Sequence, residues 1–217
     1  MFLENNSDLF ETIAAELLDQ GLCVLKNGVP EKIAKALQVQ ASAIQLEGYK
    51  QAGVGRGQEQ IADRQIRSDE IHWIDGGSKG ECEWLEWMSE LQQYLNRRLF
   101  LGLFSFESHF AHYSSGDFYE KHYDAFKGQV NRVLTVVTYL NSNWKAEYGG
   151  ELLVYGDVNK GQEKKVIHTV SPELGTIVIF LSELFPHEVL PAKKDRYSIA
   201  GWFRVNGSSK ENIDPPH

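Results

Sequence analysis

The sequence predicts a mainly β protein with some α-helix: a double-stranded β-helix (jelly roll) core buttressed on one side by N-terminal helices. Three observations predict it. Over the first hundred residues the apolar positions recur with a helical period, and from Ser105 onward the period changes to two. Eight short apolar and β-branched runs then follow, at 105–113, 117–124, 130–140, 151–155, 165–170, 175–181, 185–190 and 196–205. Gly, Asn, Pro and Asp separate them, and many short strands joined by local turns favour a sandwich or jelly roll over a parallel sheet.

The elements can be justified in order. Asp8 with Glu11 reads as a capped helix start, after which Leu9, Phe10, Ile13, Ala14, Leu17 and Leu18 share one face. Gly21 ends that helix, residues 22–25 form a short strand, and Asn27-Gly28 makes a turn. Pro30 suits the first turn of a second helix with Ile33, Ala34, Leu37, Ala41 and Ile44 inward. Residues 47–62, rich in Gly and Gln with no apolar period, read as a mobile surface loop. The segment Ile66 to Ile74 reads as a hairpin or extended stretch near a functional face. A third helix is expected from about Cys82 to Phe100, with Leu85, Met88, Leu91 or Gln92, Leu95 and Leu99 as its core stripe. The chain thus reads as one domain over 1–217: a helical and loop region at 1–104, the β core at 105–205, and a flexible tail at 206–217.

Composition narrows the function classes. At 217 residues, 42% hydrophobic and 24% charged, the chain can bury one substantial core. A net charge of −8 argues against nucleic acid as a partner. Cys23 and Cys82 make no disulfide framework, which suits a reducing compartment. The first residues carry neither a basic flank nor a long apolar run, so the expectation is a cytoplasmic monomer with no membrane partner.

His122, Asp124 and His187, followed by Arg196, are the most informative residues. His122 and Asp124 are two apart on an expected strand, so both project to one face. His187 supplies a third ligand from a separate strand. Two imidazoles and a carboxylate on one face of an ion are the ligand set of non-haem Fe(II) oxygenases. Zinc competes for the same donors, but no general base stands beside them and Arg196 has no part in that chemistry. With Fe(II), the charges of the ion, Asp124, a bound dicarboxylate and Arg196 sum to zero, which suits a poorly solvated barrel. His72, His109, His112, His168 and His217 lack a comparable partner pattern and are expected to be ordinary core or surface histidines.

Residues 105–205 resemble the catalytic core of prolyl 4-hydroxylase-type, Fe(II)/2-oxoglutarate-dependent oxygenases. The resemblance rests on His122-x-Asp124, Tyr139-Leu140-Asn141, Trp144, Gly149-Gly150-Glu151-Leu152, Pro186-His187-Glu188-Val189 and Arg196-x-Ser198. Ile66-Arg67-Ser68-Asp69 with Trp73-Ile74 is similar to the segment ahead of the core in the oxygen-sensing (hypoxia-inducible factor) prolyl hydroxylases of animals. The short chain then implies a bacterial relative, and such relatives hydroxylate a proline of elongation factor Tu. By resemblance, His122, Asp124 and His187 bind Fe(II). Arg196, Tyr139, Tyr113, Ser198 and Trp202 attend 2-oxoglutarate, while Tyr119, Arg132, Trp73 and Arg67 attend the substrate. The loop after Asp124 departs from the animal pattern, lacking its Asn-Pro.

The implied reaction takes 2-oxoglutarate and O2 as co-substrates, with ascorbate as reductant, and hydroxylates a prolyl residue at C4 in a protein. Loops 47–62 and 67–76 are the expected substrate clamp. Two other readings stand beside it: an oxygenase acting on a free amino acid or other small molecule, and a non-catalytic cupin-like binding module, for which Arg196 beside the triad has no use.

Overall fold

The computed structural model describes residues 3–44, 48–52, 66–125, 131–156 and 164–207. Among these, three α-helices precede and flank two antiparallel sheets. The helices are α1 (Leu3–Gln20), α2 (Glu31–Ala43) and α3 (Lys79–Leu99). The strands are β1 (Leu22–Leu25), β2 (Lys50–Gln51), β3 (Glu70–Trp73), β4 (Ser105–Tyr113), β5 (Tyr119–His122), β6 (Arg132–Tyr139), β7 (Leu152–Gly156), β8 (Lys165–Val170), β9 (Ile177–Leu181), β10 (His187–Val189) and β11 (Arg196–Arg204). One sheet has seven strands in the order β1-β9-β6-β11-β4-β3-β2, and the other four in the order β5-β10-β7-β8. All eight runs predicted from Ser105 onward appear as strands, in the two-sheet arrangement of a jelly roll.

Strand alternation divides the core in two. On β4, β6, β9 and β11, Phe110, Leu134, Val136, Ile177, Ile179, Ile199 and Phe203 turn toward the helices. Their neighbours Ala111, Tyr113, Val137, Tyr139, Val178 and Phe180 turn toward the small sheet and meet Leu152, Val154 and Val189 there. The helices close the first layer with Ile13, Leu37, Trp84, Met88, Leu91 and Leu95, all buried. Each such side chain contributes about 1.5–3 kcal/mol of burial. The large sheet is therefore clamped from outside, and its inner face is free to present functional groups to the smaller sheet.

Some boundaries differ from expectation. The first helix begins at Leu3, so Asp8 lies within it, and its carbonyl accepts from the Thr12 hydroxyl at 2.9 Å. The Asp8–Glu11 pair imitates a cap, but the helix extends upstream of it. The third helix starts at Lys79 because Ser78 caps it, its hydroxyl accepting from the Glu81 N–H at 3.2 Å. Glu81 is itself buried, and its carboxylate accepts from the N–H groups of Gly76 and Gly77 at 2.9 and 3.0 Å, fixing the turn that leads in. Within the expected loop, Lys50–Gln51 is a strand paired with Ile71 and Glu70. Tyr49 and Ala52 beside it are buried, so this part is packed and not a surface loop. The rest of the expected loop, residue 47 and residues 53–62, and the tail beyond 207 lie outside the described residues.

Candidate metal centre and anion pocket

His122 and His187 meet because β5 and β10 pair with these two residues as direct Cα partners. Directly opposed residues present side chains to the same face, and the two rings lie 4.3 Å apart between centroids. Asp124 follows two residues after His122. Its Oδ1 is 3.6 Å from His122 Nε2 and its Oδ2 is 3.6 Å from His187 Nε2. One donor atom from each of the three residues falls within a 4.8 Å span, the one cluster of this kind among the described residues.

The imidazoles are oriented for metal binding. The Nδ1 of His122 faces the Glu120 carbonyl at 2.7 Å, and that of His187 faces the Phe185 carbonyl at 3.1 Å. A carbonyl can only accept, so each Nδ1 carries the proton and each Nε2 presents its lone pair to the cluster. Tyr119 stacks on His122 at 3.5 Å and Phe180 meets His187 edge-on at 4.9 Å, fixing both rings. Burial, reinforced by the nearby His122, lowers His187 to about 4, which keeps it an unprotonated donor at neutral pH. Burial acts to raise the Asp124 carboxyl, but His187, His122 and the neighbouring Trp202 indole outweigh it and hold the group below the usual carboxylate range. The donor set, its tautomers and its ionisation all fit a divalent ion with open positions.

A second feature lies on the inner face of the large sheet. Arg196 is 1% exposed, yet no carboxylate among the described residues pairs with it. Its Nε donates to the Gly150 carbonyl at 2.9 Å and its Nη1 to the Ser198 hydroxyl at 3.2 Å, while Nη2 has no partner. The guanidinium lies 4.8 Å from the Tyr113 ring and 5.1 Å from the Tyr139 ring. The Tyr139 hydroxyl is likewise buried and unpartnered, and burial pushes it up to about 12, so it stays a donor. Gly149-Gly150 makes this possible. Both have positive φ, and a Cβ on Gly150 would stand 3.2 Å from the Arg196 Cδ and 2.9 Å from the Ala192 Cβ. Trp144 pins the turn by donating to the Gly149 carbonyl at 3.0 Å. A buried cation and a phenol with unused donors make an anion pocket.

Nearer solvent, the arginines are paired with carboxylates. Arg67 forms a bidentate pair with Asp69, at 2.7 and 2.6 Å, and lies 4.4 Å over the Tyr119 ring. Arg132 lies 3.6 Å over the Trp202 ring and donates to Glu107 at 3.0 Å, while Arg204 donates to the other Glu107 oxygen at 3.2 Å. Trp73, half-exposed, meets His109 edge-on at 5.2 Å, and His109 in turn packs on Trp202 at 5.5 Å. The twelve residues singled out from the sequence thus form three adjoining groups: triad, anion pocket and mouth.

Several members of the site were not read from the sequence. His109, expected to be an ordinary histidine, lines the inner wall because it shares a strand face with Ala111 and Tyr113, a signal available from alternation alone. Asp69 follows Arg67 by two in an extended segment, which also places the pair on one side. Thr135, Ser182 and Glu107 touch their partners across strands and left no local signal.

Comparison with known proteins follows the same boundaries. Residues 108–204 match the model of the 2OG-Fe(II) oxygenase superfamily. Over 213 residues the chain is 27% identical to prolyl hydroxylase EGLN3 of Mus musculus, covering 94% of this chain and 86% of that protein. The crystal structure of a Pseudomonas putida prolyl-4-hydroxylase superposes with a TM-score of 0.77 at 34% identity, covering 91% of this chain and all (100%) of that one. A Trichoplax adhaerens prolyl hydroxylase, solved in complex with a hypoxia inducible factor oxygen degradation domain peptide fragment, superposes with a TM-score of 0.75 at 26% identity, covering 93% and 91%.

Proposed function

We propose that this chain, which belongs to the 2OG-Fe(II) oxygenase superfamily and is homologous to animal and bacterial prolyl hydroxylases, hydroxylates a prolyl residue at C4 in a protein substrate. Enzymes of this superfamily use Fe(II), 2-oxoglutarate and O2. The observation that carries the reading is the buried, uncompensated Arg196 with free donors on itself and Tyr139, in the same barrel as the His122–Asp124–His187 triad. A dicarboxylate supplies the counter-charge that no carboxylate among the described residues provides.

In this reading His122, Asp124 and His187 hold Fe(II), which when bound couples 2-oxoglutarate decarboxylation to hydroxylation of a C–H bond by O2. The chain's own residues do the positioning. Arg196 Nη2 and the Tyr139 hydroxyl bind the distal carboxylate, a charge-assisted contact suited to the guanidinium fork. Ser198 and the Gly150 carbonyl aim that fork, and Tyr113 walls the pocket. Trp202, sealed by Arg132, excludes water from the Asp124 side. Tyr119, Trp73 and Arg67 form an aromatic and cationic rim for the substrate chain, with Arg132 behind it.

Elongation factor Tu is the favoured substrate, by the resemblance to bacterial enzymes. Similarity to a peptide-bound relative along nearly the whole chain supports a protein over a small molecule. Ascorbate as reductant, a cytoplasmic location and a monomeric state complete the proposal. Mass spectrometry decides the substrate: a proline-bearing elongation factor Tu peptide should gain one oxygen atom on proline, with Fe(II)-dependent succinate release that disappears in His122→Ala. An unmodified peptide alongside hydroxylated free proline would replace the protein-substrate reading. Succinate release retained in His122→Ala would remove the triad assignment.

A further inference from the structure

We propose that Thr135 is a positioning residue that fixes the orientation of the Asp124 carboxylate at the metal centre, and that Ser182 holds the Thr135 hydroxyl in its donating orientation. The inference rests on the triad being a metal centre and concerns side chains that touch no ligand.

Asp124 lies beyond the end of β5, with no strand pairing of its own, so side-chain contacts must aim its carboxylate. Thr135 sits in the middle of β6, flanked by its Cα partners Trp202 on β11 and Phe180 on β9. Its hydroxyl reaches across to Asp124 Oδ2 at 2.8 Å, and Ser182 Oγ lies 2.9 Å on its other side. Thr135 and Ser182 are 1% and 0% exposed, so no bulk water competes for these bonds.

The proton order follows from the donor inventory. A ligating carboxylate only accepts, so Thr135 must spend its single proton on Asp124. The Thr135 oxygen then accepts from the Ser182 O–H. The result is a directed relay from Ser182 to Thr135 to Asp124, anchored in the rigid sheet. It holds Oδ2, which lies 3.6 Å from His187 Nε2, and so fixes the plane of the carboxylate whose Oδ1 lies 3.6 Å from His122 Nε2. Bonds of this outer kind fix ligand orientation, and losing them typically weakens metal binding about 10- to 100-fold.

The test is a Co(II) titration of the metal-free protein, followed by the visible d–d absorption, with melting temperature recorded for each variant. Thr135→Val replaces the hydroxyl by a methyl of similar size and should weaken Co(II) about tenfold or more with an altered band. Thr135→Ser keeps the donor and should bind within about threefold of the parent protein, while Ser182→Ala should fall between the two. Folded Thr135→Val with the parent affinity and band would overturn the inference. If Thr135→Val does not fold, Ser182→Ala decides: weakened binding supports the relay and parent affinity overturns it. Absence of Co(II) binding by the parent protein would instead defeat the metal-centre reading itself.

Discussion

The arginines around the site differ in one respect. At the mouth, each has a carboxylate: Arg67 has Asp69, while Arg132 and Arg204 share Glu107. At the deep end, Arg196 is more buried than any of them and has none among the described residues. A buried, unpaired charge is among the costliest features a fold can carry. The mouth is arranged for its own stability, whereas the deep end is completed by a ligand. On the proposed reading, a substrate chain meets a pre-formed rim and the anionic co-substrate meets a waiting cation.

The contrast can be broken in three ways, from the largest effect downward. Replacing Arg196 by Met should cost 2-oxoglutarate binding about 100-fold or more, since charge-assisted bonds contribute about 1.5–3 kcal/mol each. The same variant, without co-substrate, should melt no lower than the parent protein and gain about 1 kcal/mol or more by shedding a buried charge. Calorimetry and thermal unfolding read the two halves of this prediction, and a strongly destabilised Arg196→Met would show that the cation is structural.

At the mouth the expectation reverses. Arg67→Ala leaves Asp69, 0% exposed, without its bidentate partner. That should lose about 3 kcal/mol of unfolding free energy in urea. An Arg67→Ala protein as stable as the parent would erase the distinction between the paired and the unpaired arginines.

The third concerns His109, which burial, assisted by the Arg67 charge, lowers from 6.5 to about 4. Because the folded value lies below the unfolded one, the unfolded chain binds more protons between those two values. Stability therefore rises with pH across that window and is lost as pH falls through it, by about 3 kcal/mol at most from this group. His109→Gln should flatten the slope of unfolding free energy between pH 6.5 and 4. An unchanged slope would mean that His109 is not held neutral in the fold.

Legibility in the sequence followed the range of the interaction. The alternation of β4 to β11 is a local pattern and became strands, whereas of the His122-x-Asp124 pair only His122 lies on β5, and Asp124 joins the cluster from just beyond the strand's end. Arg196-x-Ser198 was legible for the same reason, since the serine two residues on accepts from the guanidinium. Local pattern also misled: Asp8 and Glu11 look like a cap but sit inside α1. The two-residue strand at Lys50 is too short to show a period, and only its pairing with β3 defines it. Thr135 with Ser182 and Glu107 with Arg132 join residues far apart in sequence. Neither pair is encoded by spacing, and both depend on strand order that local periodicity does not contain.

The central claim, that Arg196 awaits the distal carboxylate of a dicarboxylate bound beside the triad, is tested most directly by a double-mutant cycle. Calorimetric titrations of 2-oxoglutarate and of 2-oxobutyrate, which lacks that carboxylate, would be run against Mn(II)-loaded parent and Arg196→Met proteins. The predicted result is that losing the carboxylate costs the parent about 100-fold in affinity and the variant about threefold or less, a coupling of roughly 2 kcal/mol. An equal loss in both proteins would contradict the account.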